Sequence, residues 1–210
     1  MSPRSYNLGK RRAATDQTRA RIIVAARDLV AAEAGLPEFS MDAVARQANV
    51  ARMTVYYQFA SKLGLLEALY DHLARRGQMH LLPGAFQLPD PLRALTAFIA
   101  TFIGFWSSDR LVIRRLRGMA AVDPDVEKGI RARDERRRHG LRIIVARLTD
   151  HYGHPTPGEQ DQAIDILQML TSFETFDWLA AQDRTAERIG QIVEKLARTA
   201  LGTSETPSLS

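Results

Sequence analysis

Apolar residues recur at intervals of three and four along most of the chain, and no run alternates β-branched with polar residues. This spacing places apolar side chains on one face of a helix, whereas a half-buried strand would alternate apolar and polar positions. Ser, Thr or Asp precede several of these segments, and Gly or Pro follow them, as is usual at helix starts and ends. The pattern therefore predicts an all-α fold with about nine helices.

Boundary residues divide this pattern into segments. The first helix starts at Thr15 or Asp16, either of which can cap it, and stops at Gly35. Pro83-Gly84 and Pro89-Asp90-Pro91 bracket a linker. The fourth predicted helix starts after Ser61 and ends between Gly77 and Gly84, and the others cover about residues 15–35, 41–48, 52–58, 91–107, 109–120, 124–152, 158–181 and 185–201.

A tight turn joins two short predicted helices, Met41–Ala48 and Arg52–Gln58. Asn49 lies in this turn, and asparagine is one of the few residues that adopt the left-handed backbone conformation at low cost. A connection of three or four residues between crossing helices is typical of a helix-turn-helix. The sequence therefore predicts this motif over about residues 40–59.

The second helix of the motif has an inward face and an outward face. Val55 and Phe59 are four positions apart and point inward, so the other side chains face solvent or a partner. Threonine, tyrosine and lysine bind phosphates, whereas arginine and glutamine hydrogen-bond to base edges. Packing inside the small domain is the alternative for Tyr56. The predicted DNA-binding residues are Ser40, Gln47, Arg52, Met53, Thr54, Tyr56, Tyr57, Gln58 and Lys62.

The run from Val50 to Leu66 resembles the DNA-reading segment of the tetracycline-repressor-like (TetR/AcrR) regulators, in which Thr-aliphatic-Tyr-aromatic precedes a lysine and a leucine-rich helix. The resemblance covers about residues 17–77 and is only architectural beyond them. It implies a homodimeric transcriptional repressor that binds a palindromic operator in double-stranded DNA and is released by a small apolar or amphipathic effector. The open alternatives are a constitutive DNA-binding protein or activator, and an α-helical enzyme or carrier for an apolar molecule.

Four residues depart from the family pattern. Asn49 replaces a frequent glycine, Ala51 a capping serine, Gln58 a frequent histidine and Gly64 a better helix former. Ala51 and Gly64 are each expected to weaken a helix end by about 0.5–1 kcal/mol. Gln58 is expected to change which phosphate or base is contacted.

Positive charge is concentrated near the N terminus. Residues 1–82 hold 12 Lys and Arg against 7 Asp and Glu, whereas residues 83–210 hold 17 of each. Phosphate binding requires such an excess. We therefore predict a flexible basic arm over 1–16, a TetR-type DNA-binding domain over 17–77, and a ligand-binding and dimerisation domain over 78–210. The arm either enters a minor groove or only aids solubility.

A wide aromatic stripe marks the helix that starts at Pro91. Such a stripe is usually core, but the resembling regulators enclose an apolar ligand in their second domain, which favours a pocket. Arg137 lies on the inward stripe of its helix, where it either meets a polar group of the ligand or pairs at the end of the bundle. The predicted pocket residues are Phe98, Phe102, Trp106, Met119, Arg137, Met169 and Phe173.

The last two predicted helices carry much apolar surface together with small residues that allow close approach. This combination favours a four-helix interface with a second copy, and a monomer core is the alternative. The predicted interface residues are Phe176, Ile189, Ile192, Val193 and Leu196.

Other functions have little support in the sequence. The chain has no cysteine, which excludes disulfides and thiolate metal sites, and no apolar leader, so we expect a cytoplasmic protein. The uncharged stretch 94–108 is too short to span a membrane. His151 and His154 lie near a helix end, where histidine caps carbonyls. We therefore predict no metal, no cofactor, no membrane partner and no catalytic residues, because phosphate loops, nucleophile elbows and zinc-protease motifs are missing from the sequence.

Overall fold

The computed structural model describes residues 3–32 and 39–203. Within these ranges the chain forms eleven α-helices, two short 3-10 helices and no strand. The helices are α1 (Pro3–Ala31), α2 (Met41–Gln47), α3 (Arg52–Phe59), α4 (Lys62–Arg76), α5 (Leu82–Gln87), α6 (Pro91–Ser108), α7 (Arg110–Ala120), α8 (Pro124–Tyr152), α9 (Gln160–Leu170), α10 (Phe173–Ala180) and α11 (Ala186–Ala200). The all-α prediction is confirmed. None of the described helices has both the length and the apolar character needed to cross a membrane.

The structure contains more helices than the nine predicted, for two reasons. The helix predicted over 158–181 is divided after Leu170, and α10 starts anew behind Ser172, whose hydroxyl accepts a hydrogen bond from the Thr175 amide. Serine at this position ends one helix and caps the next. The predicted linker also contains α5, which carries Pro83 in its first turn, where its missing N–H costs nothing.

Helix α1 begins earlier than predicted. It starts at Pro3, so a start at Thr15 or Asp16 was wrong. Residues 3–16 are helical, and their role as a flexible basic arm stays a prediction. Alanine and arginine are good helix formers, and a helix propagates easily once its buried part has formed. α1 ends at Ala31. The predicted stop at Gly35 lies outside the described residues.

The chain forms two compact units that are interleaved in sequence. The first consists of Met1–His72 and Leu111–Glu127, and the second consists of Leu73–Arg110 and Lys128–Ser210. The predicted boundary after residue 77 lies close to one of these divisions. A single cut there would nevertheless remove residues 111–127 from the first unit.

The first unit is held together by α1, α2, α3 and α7. Ile22 and Val30 of α1 are fully buried, as is Val44 of α2. Arg115 of α7 donates hydrogen bonds to the backbone carbonyls of Val30, at 2.6 Å, and Ala32. These carbonyls lie at the C-terminal end of α1, where no further turn of helix is available to bond them. Arg115 therefore fixes α7 to the end of α1.

An aromatic cluster on α6 forms the core of the second unit. Ring centroids are 4.8 Å apart for Phe98 and Phe102, 5.9 Å for Phe102 and Trp106, and 5.6 Å for Trp106 and Phe173. The Trp106 indole nitrogen donates a hydrogen bond of 3.0 Å to the Thr171 carbonyl. All four rings are buried. α10 and α11 pack against α6, and α9 packs against α10 and α11, so the inward stripes of these helices are covered within the chain.

Candidate nucleic-acid interface

The turn between α2 and α3 has the predicted geometry. Ser40 caps α2, because its hydroxyl accepts a hydrogen bond of 3.2 Å from the Ala43 amide. Asn49 adopts a left-handed conformation with φ of 52°. The following Val50 amide donates to the Ala45 carbonyl at 3.0 Å, which closes the turn. The helix-turn-helix is therefore present where the sequence placed it.

The two faces of α3 also follow the prediction. Val55 is fully buried and Phe59 is almost fully buried. On the opposite face, Met53 is 72% exposed and Tyr57 is 86% exposed. Met53 and Tyr57 are four positions apart on one helix face, and a contiguous exposed apolar patch of this kind can mark an interaction site.

The remaining predicted contact residues lie around this face. Arg52 is exposed, whereas Thr54, Tyr56 and Gln58 are half-buried. Gln47, at the end of α2, is exposed and borders a shallow groove of about 350 Å³ between α1 and α2. Ser40 and Lys62 are exposed as well. All nine side chains thus reach the surface of the first unit, although whether each contacts DNA stays a prediction.

Arg52 is held by two neighbours. Its Nε lies 3.0 Å from Oδ1 of Asp42, and its Nη2 donates a long hydrogen bond of 3.4 Å to the Tyr56 hydroxyl. The guanidinium carbon lies 5.4 Å from the Tyr56 ring centroid. The bond to Tyr56, with the nearby Asp42 carboxylate, raises the pKa of Arg52 above its ordinary value. The sequence did not indicate Asp42, because it belongs to the other helix of the motif.

Arg19 of α1 fixes the C-terminal end of α3. Its Nη1 donates a hydrogen bond of 2.6 Å to the Gln58 carbonyl, and its guanidinium carbon lies 4.3 Å from the Phe59 ring centroid. A cation at a helix C terminus also interacts favourably with the helix dipole. Arg19 therefore orients α3 without occupying its exposed face. Sequence spacing gave no signal for this contact, since the two residues are distant in the chain.

A tight turn connects α3 to α4 and explains Gly64. Ala60 has a positive φ of 61°, and the Ser61 hydroxyl caps α4 by accepting a 3.0 Å hydrogen bond from the Gly64 amide. A Cβ on Gly64 would lie only 2.2 Å from the Phe59 carbonyl oxygen. Reading Gly64 only as a poor helix former was therefore wrong, because the close backbone approach leaves no space for a side chain.

Gly64→Ala is expected to destabilise the protein by about 1–3 kcal/mol, because the clash outweighs the gain of about 0.5–1 kcal/mol in helix propensity. Urea unfolding measures the difference. Gly118→Ala on α7 is the matched control, because a Cβ there meets no atom within 4 Å. A Gly64→Ala protein as stable as the parent would contradict the strained turn.

The predicted pocket residues do not line either of two cavities found among the described residues. Phe98, Phe102, Trp106 and Phe173 pack against one another, and Met119 belongs to the other compact unit. Met169 is 59% exposed, so it cannot line an enclosed site within this chain. The sequence did not show that α10 would close over the stripe of α6.

The second unit has a cavity of about 300 Å³ elsewhere, bordered by His154, Glu159, Gln162, Ile166, Thr199 and Leu201.

Arg137 lies at the edge of the aromatic cluster and is buried. Its Nη1 donates to the Gln168 carbonyl at 2.7 Å and to the Thr171 hydroxyl at 3.0 Å, while Nη2 lies 3.3 Å from Asp134. These contacts join α8 to the end of α9. Of the two interpretations of Arg137, pairing within the bundle is the one that the structure displays.

The predicted dimer residues divide into two groups. Phe176, Ile189 and Val193 are buried within the chain, so their placement in an interface was wrong. They face α6 and α9, whose apolar surface also needs to be covered. Ile192 is half-buried and Leu196 is 48% exposed. Trp178 of α10, which was not predicted, is 65% exposed.

Comparisons with known proteins agree with this geometry. Residues 22–69 match the family model of the bacterial regulatory proteins of the tetR family. A TetR transcription regulator from Haloarcula marismortui ATCC 43049 is 15% identical, with a TM-score of 0.69 over 89% of this chain and 97% of that chain. NalD, the secondary repressor of the MexAB-OprM multidrug efflux pump in Pseudomonas aeruginosa, is 19% identical, with a TM-score of 0.65 over 90% of this chain and 97% of that chain. No curated protein matches the chain.

The two kinds of comparison establish different things. The solved structures share little sequence with this chain, so they establish a common fold. The family model identifies the helix-turn-helix by its sequence, from the middle of α1 into α4. Residues 22–69 therefore carry the tetR-type DNA-binding segment by sequence, and the chain as a whole has the fold of the TetR transcription regulators.

Proposed function

We propose that the protein is a homodimeric, cytoplasmic repressor that binds a palindromic operator and is released by a small apolar or amphipathic effector. The observation that carries the proposal is the exposed face of α3, where Met53 and Tyr57 project beside Arg52 and the Tyr56 hydroxyl. Two such helices about 34 Å apart would enter successive major grooves.

The residues of this face have two roles in the proposal. Thr54, Tyr56 and Lys62 bind phosphates and so fix the position of α3 on the duplex. Arg52 and Gln58 hydrogen-bond to base edges, and the Met53 side chain contacts a thymine methyl group. Arg19 maintains the angle of α3 through the Gln58 carbonyl.

Assembly into a dimer uses exposed apolar residues of the second unit. Met169, Trp178 and Leu196 are exposed, and Ile192 is one helical turn from Leu196 on α11. A second copy would cover such a surface with the same residues, as a two-fold interface does. Effector release follows from linkage: a compound that binds better to a conformation unable to fit the operator lowers DNA affinity. NalD is named as a repressor, which supports the same role here.

The first experiment selects bound sequences from random double-stranded DNA and then measures affinity against salt concentration. Lys62→Ala should weaken binding to all sequences and reduce the salt slope by about one unit, because one phosphate contact is lost. Lys128→Ala is the control, since Lys128 is an exposed lysine of the second unit. An unchanged slope in Lys62→Ala would remove Lys62 from the interface.

Two alternatives give different results in the same experiment. A constitutive regulator or an activator would select a DNA sequence. No compound in a screen would then release the protein from that DNA, as an effector releases a repressor. An enzyme or carrier would select no specific sequence at all. The second result would contradict the proposal as a whole.

A further inference from the structure

We propose that Asp42 is a positioning residue for base recognition, which holds Arg52 ready to bind a guanine and limits binding to other sequences. The inference rests on the proposed function and names one of its specificity determinants. Asp42 is the second residue of α2, and its carboxylate reaches across the turn to the first residue of α3. Side chains at the N-terminal end of a recognition helix are the ones that reach base edges.

The hydrogen bonds of Arg52 leave the useful donors available. A guanidinium has five N–H groups, and Nε carries only one of them. Oδ1 of Asp42 forms an ion pair with Nε at 3.0 Å, and the Tyr56 hydroxyl accepts one hydrogen from Nη2. Both hydrogens of Nη1 and one of Nη2 are left, on adjacent nitrogens at the end of the side chain. An end-on pair of this kind can meet O6 and N7 of guanine together.

The contact also reduces the conformational freedom that Arg52 loses on binding. A free arginine side chain samples many rotamers, and ordering it opposes association. Asp42 and the Tyr56 ring together restrict the guanidinium before DNA arrives. The pair is exposed, so it contributes little to the stability of the fold. Its effect is therefore expected in recognition rather than in folding.

The charge of Asp42 has a second consequence. A carboxylate within a Debye length of the phosphates repels them, whatever the base sequence. At a site with guanine in the right place, the correctly oriented Arg52 compensates for this repulsion. At other sites Arg52 makes no guanine contact that could offset it. Specificity is the difference between the affinity for the operator and the affinity for other DNA. Asp42 increases the first by orienting Arg52 and lowers the second by repelling phosphates.

The test compares the parent with Asp42→Asn, Arg52→Ala and the double variant, using sequence selection and binding to the best site and to random DNA. Arg52→Ala identifies the base pair that Arg52 reads. Asp42→Asn should reduce the preference for guanine over other bases at that pair by about fivefold or more. This factor corresponds to the lower end of the discrimination that a bidentate contact provides. It should also raise affinity for random DNA by about two- to threefold, since a repulsive charge is gone. In the double variant, discrimination at the pair should equal that of Arg52→Ala.

Asp28→Asn is the control for net charge, because Asp28 lies on α1 and pairs with Arg27. Melting temperatures of all variants report any loss of folding. An Asp42→Asn profile identical to the parent's at the pair read by Arg52, or additive effects in the double variant, would overturn the role of Asp42 and leave the proposed function intact. Failure of the parent to select any sequence would overturn both.

Discussion

Replacing Trp106 by alanine is expected to lower the free energy of unfolding by about 3–5 kcal/mol, the range for emptying a close-packed aromatic site. The Trp106 ring is buried between Phe102 and Phe173, and its indole nitrogen hydrogen-bonds to the Thr171 carbonyl. The substitution therefore loses packing and leaves a buried carbonyl without that donor. Urea unfolding followed by circular dichroism measures the change.

The chain offers a matched control, because Trp178 is its other tryptophan and is 65% exposed. Trp178→Ala should change the stability of the monomer by much less than Trp106→Ala. A small loss of stability in Trp106→Ala, with an altered effector response and normal operator binding, would support the pocket predicted from the sequence. It would contradict the close packing of the α6 cluster.

Replacing Trp178 or Leu196 by aspartate is expected to convert the proposed dimer to monomers and to weaken operator binding by about 10²–10⁴-fold. A charge in an apolar interface is costly to bury, and a monomer binds only one half-site, so the effective concentration provided by its partner is lost. Sedimentation velocity and operator titration measure the two effects. Binding to a single half-site should remain unchanged.

Ala146→Asp tests whether an added charge alone has this effect, since Ala146 is an exposed residue of α8. This variant should stay dimeric and bind the operator normally. Phe176→Asp differs again, because Phe176 is buried within the chain and its replacement should unfold the second unit. Dimers of parental affinity in both Trp178→Asp and Leu196→Asp would place the interface elsewhere.

Helical periodicity and cap residues were enough to predict the helix-turn-helix. The i, i+4 spacing of Val55 and Phe59 determined which side chains of α3 point outward, and Asn49 identified the turn between the helices. Both signals are local, because they depend on helix geometry and on the preferences of single residues. The resemblance to TetR-type regulators relied on the same short segment.

Contacts between helices distant in sequence could not be predicted in this way. The bond from Arg19 to the Gln58 carbonyl and the pairing of Asp42 with Arg52 depend on how three helices cross. The same limit applies to α11, where two adjacent apolar stripes exist. Periodicity could not decide that Ile189 and Val193 would face α6 and α9 while Leu196 faced solvent.

The interleaved order of the two units affects how the chain folds during synthesis. The first unit includes residues 111–127, which the ribosome makes only after residues 73–110 of the second unit. Arg115, which bonds the carbonyls at the end of α1, is among these late residues. Domains usually fold as soon as they emerge, N-terminal first. Here the first unit cannot be completed until the chain has been extended past α7, so an N-terminal fragment that stops at residue 77 would lack the support of Arg115.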